Sequence, residues 1–205
     1  MPPHWTFVIA SSGVHADKAG SVRDQYNRAS LETRALLHCW NEAAPSPAGS
    51  LGAALAEDDA LPRLYELIVT RPPAGYTPAA LAARLSHFVA EDGRVPEAAR
   101  AFALGDATAL GRLSHDSQRE ADEWLGNQTA ETRALAAAAS DVGAIAASSF
   151  GAGFGGSVWA LAPSSDARAL ADAWLADYAR RCPSVSGVEC FVARPGPALT
   201  EVPIT

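Results

Sequence analysis

At 205 residues with 48% hydrophobic content, the chain is long enough to bury a core of one large domain. Its 23 carboxylates against 16 Lys and Arg give a net charge of -7, which argues against a general nucleic-acid binder, since that class carries a basic face. No apolar run approaches a membrane span; the Ala-rich stretch Ala134–Ala147 is interrupted by Ser140, Asp141 and Gly143. The first residues lack a basic segment followed by an apolar one, so no secretory signal is expected. Cys39, Cys182 and Cys190 have no metal-ligand spacing and suit a reducing cytoplasm as buried or half-buried thiols.

In chain order, the apolar run Phe7–Ala10 predicts a buried strand ending at the turn signal Ser11-Ser12-Gly13. From Ser21 to Ala43, Val22, Tyr26, Ala29, Leu36 and Trp40 recur at roughly helical spacing and form one apolar stripe. Pro45–Gly52 reads as a loop, and Leu61–Val69 is an apolar segment whose type the pattern leaves open. Thr77 and Pro78 are cap and first turn of a helix to Asp92 that turns Leu81, Leu85, Phe88 and Val89 inward. Separate helices are expected over Val95–Leu104, Thr108–Trp124 and Ala130–Asp141, the last behind a Thr129 cap.

The last third changes character. Ala144–Phe150 and Val158–Leu161 read as strands around a glycine-rich turn, Asp166–Arg181 as an amphipathic helix and Gly187–Ala193 as a final strand. The fold class is therefore α+β, an antiparallel sheet with helices packed on one face, plus a helical segment. One lobe over 1–205 is expected, with a helical part at about 20–141 and an α/β part at about 142–195.

The sharpest chemical signal is Gly151–Gly156, with four glycines in six residues. Such a turn permits positive φ and close backbone approach, and its N–H groups can form an anion-binding concavity. It is no Walker loop, because no Gly-Lys-Ser/Thr follows, and no dinucleotide fingerprint, because a strand follows instead of a helix. A purely structural tight turn explains the same residues, and composition leaves both readings open.

The string Phe-Gly-Ala-Gly-Phe-Gly-Gly-Ser-Val-Trp-Ala-Leu, residues 150–161, resembles the third signature motif of galactokinases, members of the GHMP group of small-molecule kinases. Three further segments, in the family's order, resemble it too. Residues 7–28, FVIASSGVHADKAGSVRDQYNR, look like its "N-x-x-V-x-H-x-L-A-x-x-x-Y-x-x-R" segment. Residues 84–94, RLSHFVAEDGR, are similar to its "R-x-x-H-x-x-x-E-x-x-R-V" helix, and ALGDATALGRL, residues 103–113, to the helix after it.

The resemblance implies the C-terminal, ferredoxin-like lobe of a two-lobed sugar kinase that uses ATP and Mg²⁺. The Gly-Glu-His sugar segment, the Gly-Leu-Ser-Ser-Ser phosphate loop and the catalytic base belong to the family's N-terminal lobe, and neither string occurs in residues 1–205. The expectation is therefore a C-terminal half, inactive alone, whose ATP-binding lobe is missing or separately encoded. Alternatives are a non-catalytic sugar- or nucleotide-binding module and a truncated remnant. By the same resemblance Tyr26 contacts the sugar, while Gly151, Gly153, Gly155, Gly156 and Ser157 support the phosphate loop. The catalytic residue stays unassigned and no metal ligand is expected in this half; no nucleic acid or membrane partner is expected.

Two departures from the pattern stand out. Galactokinases usually read Arg-Met-Thr before the glycines, whereas this chain reads Ser148-Ser149-Phe150, and an expected histidine appears as Gln118. The remaining candidates read as structural. His15 fits a surface or helix-start position, His87 a hydrogen-bonding core-edge residue and Glu91 with Arg94 an i,i+3 pair. His115, Asp116, Glu120, Asp122 and Glu123 fit the solvated face of a helix.

Overall fold

The structure, a computed structural model, describes residues 1–15, 23–151 and 153–196, with the side chain of Tyr26 outside that description. Four strands form one sheet in the order β2-β3-β1-β4, every neighbouring pair antiparallel. Strand β1 is Trp5–Ser11, β2 is Ala146–Ser149, β3 is Ser157–Pro163 and β4 is Cys190–Ala193. Sequence-distant β1 thus becomes a central strand, with Phe7 opposite Leu161 on one side and Ala193 on the other.

Strand alternation sorts the sheet into two faces. Val8 and Ala10 of β1, with Val158, Ala160 and Ala162 of β3, are buried against α6 (Ala130–Asp141) and α7 (Ala167–Arg181). Trp174 of α7 is fully buried there, its indole Nε1 donating to the Leu135 carbonyl at 2.8 Å. The Tyr178 hydroxyl donates to the Ser12 carbonyl at 2.8 Å and ties α7 to the end of β1. Burial pushes the Tyr178 phenol well up from its ordinary value, so it remains a donor across the physiological range. This is the expected α+β arrangement.

On the other face Trp5 and Leu161 pack with Ala101 and Leu110, which come from α4 (Pro78–Leu104) and α5 (Ala107–Glu120). Phe7 meets Trp159 edge to face at 5.8 Å between ring centroids. A separate apolar cluster joins α1 (Arg23–Ala43), α2 (Leu51–Leu55), α3 (Ala60–Thr70) and the first half of α4 around Leu36, Trp40, Leu64, Ile68, Leu81 and Leu85. The helical segment is therefore threaded between β1 and β2, while α6 packs with the sheet.

Several boundaries differ from the sequence reading. The segment of open type is helix α3, which buries Ala60, Leu64 and Ile68 at four-residue spacing. The predicted 45–52 loop gives way to α2 at Leu51, because the Ser50 hydroxyl accepts from the Ala53 N–H at 3.1 Å. The two helices expected over 78–104 are one. Pro96 removes the bond to the Asp92 carbonyl, yet the helix continues with Arg94 bonded to Glu91 and Glu120 and Ala101 buried near Trp5. At α6 the cap is as expected and doubled: the Thr129 hydroxyl accepts from the Thr132 N–H, and the Thr132 hydroxyl from the Thr129 N–H. The last strand is shorter than 187–193, since Gly187 turns at φ 70° and Glu189 is bonded through its N–H to the Ser11 hydroxyl. Residues 21 and 22 of the expected first helix lie outside the described residues.

Candidate functional site

The glycine-rich turn is the β2–β3 connection, and its glycines have distinct duties. A Cβ on Gly153 would lie 2.4 Å from the Asn127 carbonyl oxygen, and one on Gly155 would lie 2.7 Å from that of Val14. Gly151 and Gly156 have open space around them and owe their identity to φ of 85° and 89°. Phe154 also adopts a positive φ, 63°, which is uncommon for an aromatic residue and marks local strain.

Hydrogen bonds explain why the turn holds this shape. The Phe154 N–H donates to the Asn127 carbonyl at 2.5 Å, the Gly156 N–H to the Val14 carbonyl at 2.8 Å, and the Ser12 N–H to the Gly156 carbonyl at 2.7 Å. Alternate N–H groups are thus tied to the protein. Those of Gly153 and Gly155, both buried residues, meet no acceptor among the described residues. Free backbone N–H groups in a glycine turn suit an anionic oxygen arriving from outside. Ser157 is the first residue of β3, opposite Ser11, and its carbonyl accepts from the Phe150 N–H.

Asn127 is delivered to the turn by a break in helix geometry. After Glu120 the chain makes one π-helical turn, Ala121–Leu125, and Gly126 closes it at φ 66° by donating to the Ala121 carbonyl. The expected helix over Thr108–Trp124 is therefore interrupted. Glu120 is buried and bonded to Arg94 and Arg119, which corrects its expected place on a solvated face. Asp116, Asp122 and Glu123 pair with Arg112 or Arg119, Arg133 and Arg119 respectively. Among the described residues no group of three or more His, Cys, Asp or Glu is arranged to hold a metal ion.

The two sequence departures meet each other in space. The Gln118 Oε1 accepts from the Ser149 N–H at 2.8 Å and from the Ser148 hydroxyl at 3.1 Å. The Ser149 Oγ lies 3.0 Å from Gln118 Oε1 and 2.8 Å from Gln128 Oε1, and its single proton serves one at a time. Gln118 Nε2 donates to Gln128, whose Nε2 donates to Asn127 Oδ1. A neutral amide and hydroxyl network therefore anchors the end of β2 and the residue beneath the turn. Replacing Gln118 by Leu strands the half-buried Ser149 N–H, and the expected loss is about 1–3 kcal/mol of stability in urea unfolding. Unchanged stability would show that this network holds nothing in place.

Beside the turn, a cavity of about 340 Å³ is walled by Phe154, Trp124 and Gly126 on one side. Gln25, Arg28 and Glu32 of α1 and Arg84 of α4 form the other. Glu32 and Arg84 are a buried ion pair, with Arg84 Nε and Nη2 donating to Glu32 Oε2 at 3.1 and 2.9 Å, and Arg28 donating to Oε1 at 2.8 Å. Arg84 Nη1 is buried without a partner. Tyr26 follows Gln25 in the first turns of α1; its side chain lies outside the described residues. Sequence reasoning missed Glu32, Trp124 and Asn127 as parts of this region.

The other candidates are peripheral. His15 is exposed. His87 Nδ1 is buried and unbonded, contrary to the hydrogen bond expected of it, and burial lowers its pKa while Glu91 partly offsets that. Glu91 and Arg94 pair as expected. The three cysteines are free, and burial raises the Cys39 thiol and pushes Cys190 up to about 11, so both stay neutral.

Residues 98–180 match the family model described as GHMP kinases C terminal. Galactokinases of Mycobacterium tuberculosis and Mycobacterium bovis are each 40% identical over 94 residues, covering 44% of this chain and 25% of theirs. The match thus spans about a quarter of the length of those curated relatives. The structure of Lactococcus lactis galactokinase complexed with galactose superposes with a TM-score of 0.74 at 24% identity, over 93% of this chain and 45% of that one. That likeness establishes a shared fold.

Proposed function

We propose that the chain, whose residues 98–180 match the family model described as GHMP kinases C terminal, supplies the C-terminal lobe of an ATP-dependent kinase acting on a sugar hydroxyl. One observation supports this reading: the N–H groups of the buried residues Gly153 and Gly155 meet no acceptor among the described residues, while those of their neighbours Phe154 and Gly156 are tied. Their chemistry fits a phosphate oxygen, and ATP when bound supplies the phosphoryl group. Gly151, Gly156 and Ser157 set the turn's shape around them. Among the described residues no carboxylate set fits Mg²⁺.

Tyr26 and the cavity beside Phe154 are the proposed acceptor side. Trp124 and Phe154 offer apolar faces, and Gln25, Arg28 and Glu123 offer polar groups, a combination suited to a polyhydroxylated ligand. The phosphate loop and the base then belong to a lobe outside residues 1–205, in the same polypeptide or separately encoded. Large apolar side chains beside the turn and on β4 favour such a cover, with Phe150 48% and Phe191 57% exposed.

Phosphoryl transfer depends on positioning and charge stabilisation, and in this reading the other lobe holds the nucleotide in line with the acceptor. Purified 1–205 with ATP, Mg²⁺ and galactose is expected to form no sugar phosphate. Turnover by the purified chain would refute that division of labour. A second reading, a module that binds sugar without turning it over, draws on the neutral Gln118–Ser148–Ser149 network where galactokinases usually carry an arginine. Saturable galactose binding to 1–205 without turnover would favour it.

A further inference from the structure

A second cavity, about 670 Å³, lies in the helical segment and shares no residue with the glycine turn or the sheet. Its volume lies in the range of small-molecule sites, roughly 300–1,000 Å³. Leu31, Arg34, Ala35, His38 and Glu42 recur every three or four residues along α1 and so present one face to it. Leu67 of α3 and Pro73 complete an apolar floor with Leu31 and Ala35.

Several arginines of the helical segment are already engaged. Arg63 stacks over Trp40 at 5.0 Å and donates to the Ala43 carbonyl, Arg84 is paired with Glu32, and Arg94 with Glu91 and Glu120. Arg34, His38 and Arg71 have no ion pair or side-chain hydrogen bond among the described residues. Arg71 is nevertheless held in position by its backbone: its N–H donates to the Leu67 carbonyl at 2.8 Å, and its carbonyl accepts from the Cys39 thiol at 3.9 Å. Two guanidinium groups and an imidazole face a single carboxylate, Glu42, the reverse of the whole chain's balance of -7.

We propose that this cavity binds a small organic anion with an apolar body, its carboxylate held by Arg34 and Arg71 and its body lying on Leu31, Ala35 and Leu67. Guanidinium groups pair with carboxylates through parallel N–H donors, and an adjoining apolar floor strengthens that pairing by excluding water. The site is independent of the kinase reading, because none of its residues contributes to the glycine turn.

The test is calorimetric titration of the full 205-residue chain with 2-naphthoate as probe. One-to-one saturable binding is expected. Arg34→Gln and Arg71→Gln should each weaken it roughly tenfold, and 2-naphthylmethanol, which lacks the charge, should bind at least about tenfold more weakly. Both arginines are exposed, so the variants are expected to keep the wild-type melting curve, which is measured alongside. No saturation in the millimolar range overturns the proposal. So does equal affinity for the neutral analogue, or unchanged affinity in either folded variant.

Discussion

An alanine at Gly153 or Gly155 lowers the unfolding free energy by about 3 kcal/mol, while one at Gly156 costs about 1 kcal/mol. All three positions have positive φ, a conformation that costs an L-residue roughly 1–2 kcal/mol. Only the first two add a collision. The new methyl would sit 2.4 Å from the Asn127 carbonyl oxygen or 2.7 Å from that of Val14, and both obstacles are backbone. Neither can rotate aside as a side-chain tip would, so overpacking adds roughly 1–3 kcal/mol. Relieving it moves the turn off Asn127 and Val14, which breaks the bonds made by the Phe154 and Gly156 N–H groups. Urea unfolding of the three variants measures this order directly. Equal effects at Gly153, Gly155 and Gly156 would mean that conformational freedom alone, and not close approach, selects the glycines.

Removing one member of the Glu32–Arg84 pair is the second large effect. Glu32→Ala leaves the Arg84 guanidinium buried, 6% exposed, with Nη1 already lacking a partner. Arg28 cannot compensate, since it carries the same charge and is largely exposed. The expected loss is about 3–5 kcal/mol, the usual cost of an orphaned buried charge. The double replacement Glu32→Leu with Arg84→Met should recover most of it, because two apolar side chains of similar size carry no desolvation penalty. Chemical denaturation of both variants decides the matter. A single variant within about 1 kcal/mol of wild type would place water around this pair and make it an ordinary surface bridge.

The sequence made the strands and the glycine turn legible because their signals are local. Phe7–Ala10 and Val158–Leu161 are apolar runs bounded by turn residues, and Thr129 caps α6 through a hydroxyl three residues from its partner. Residues that work across the chain left no such trace. Asn127 matters because a π-helical turn carries its carbonyl under Gly153, and the spacing of 121–127 does not announce that extra residue. Glu32 reads as one more charge on an amphipathic helix until Arg84, 52 residues away, is seen against it. The expected division of 78–104 into two helices does not occur: a break is the usual local effect of a proline such as Pro96, and the helix continues through it with Arg94 and Ala101 packed on either side. Gln118 is joined to Ser148 and Ser149, so the two departures, 30 residues apart in the chain, are neighbours in space.

The most direct measurement of the proposed role joins residues 1–205 behind an ATP-binding lobe of a galactokinase and follows ATP-dependent phosphorylation of galactose, with 1–205 alone in parallel. The account predicts sugar phosphate from the joined protein, none from 1–205 alone, and loss of turnover on Gly155→Ala. A folded, ATP-binding fusion that transfers no phosphoryl group, or one whose turnover is indifferent to Gly155→Ala, would contradict it.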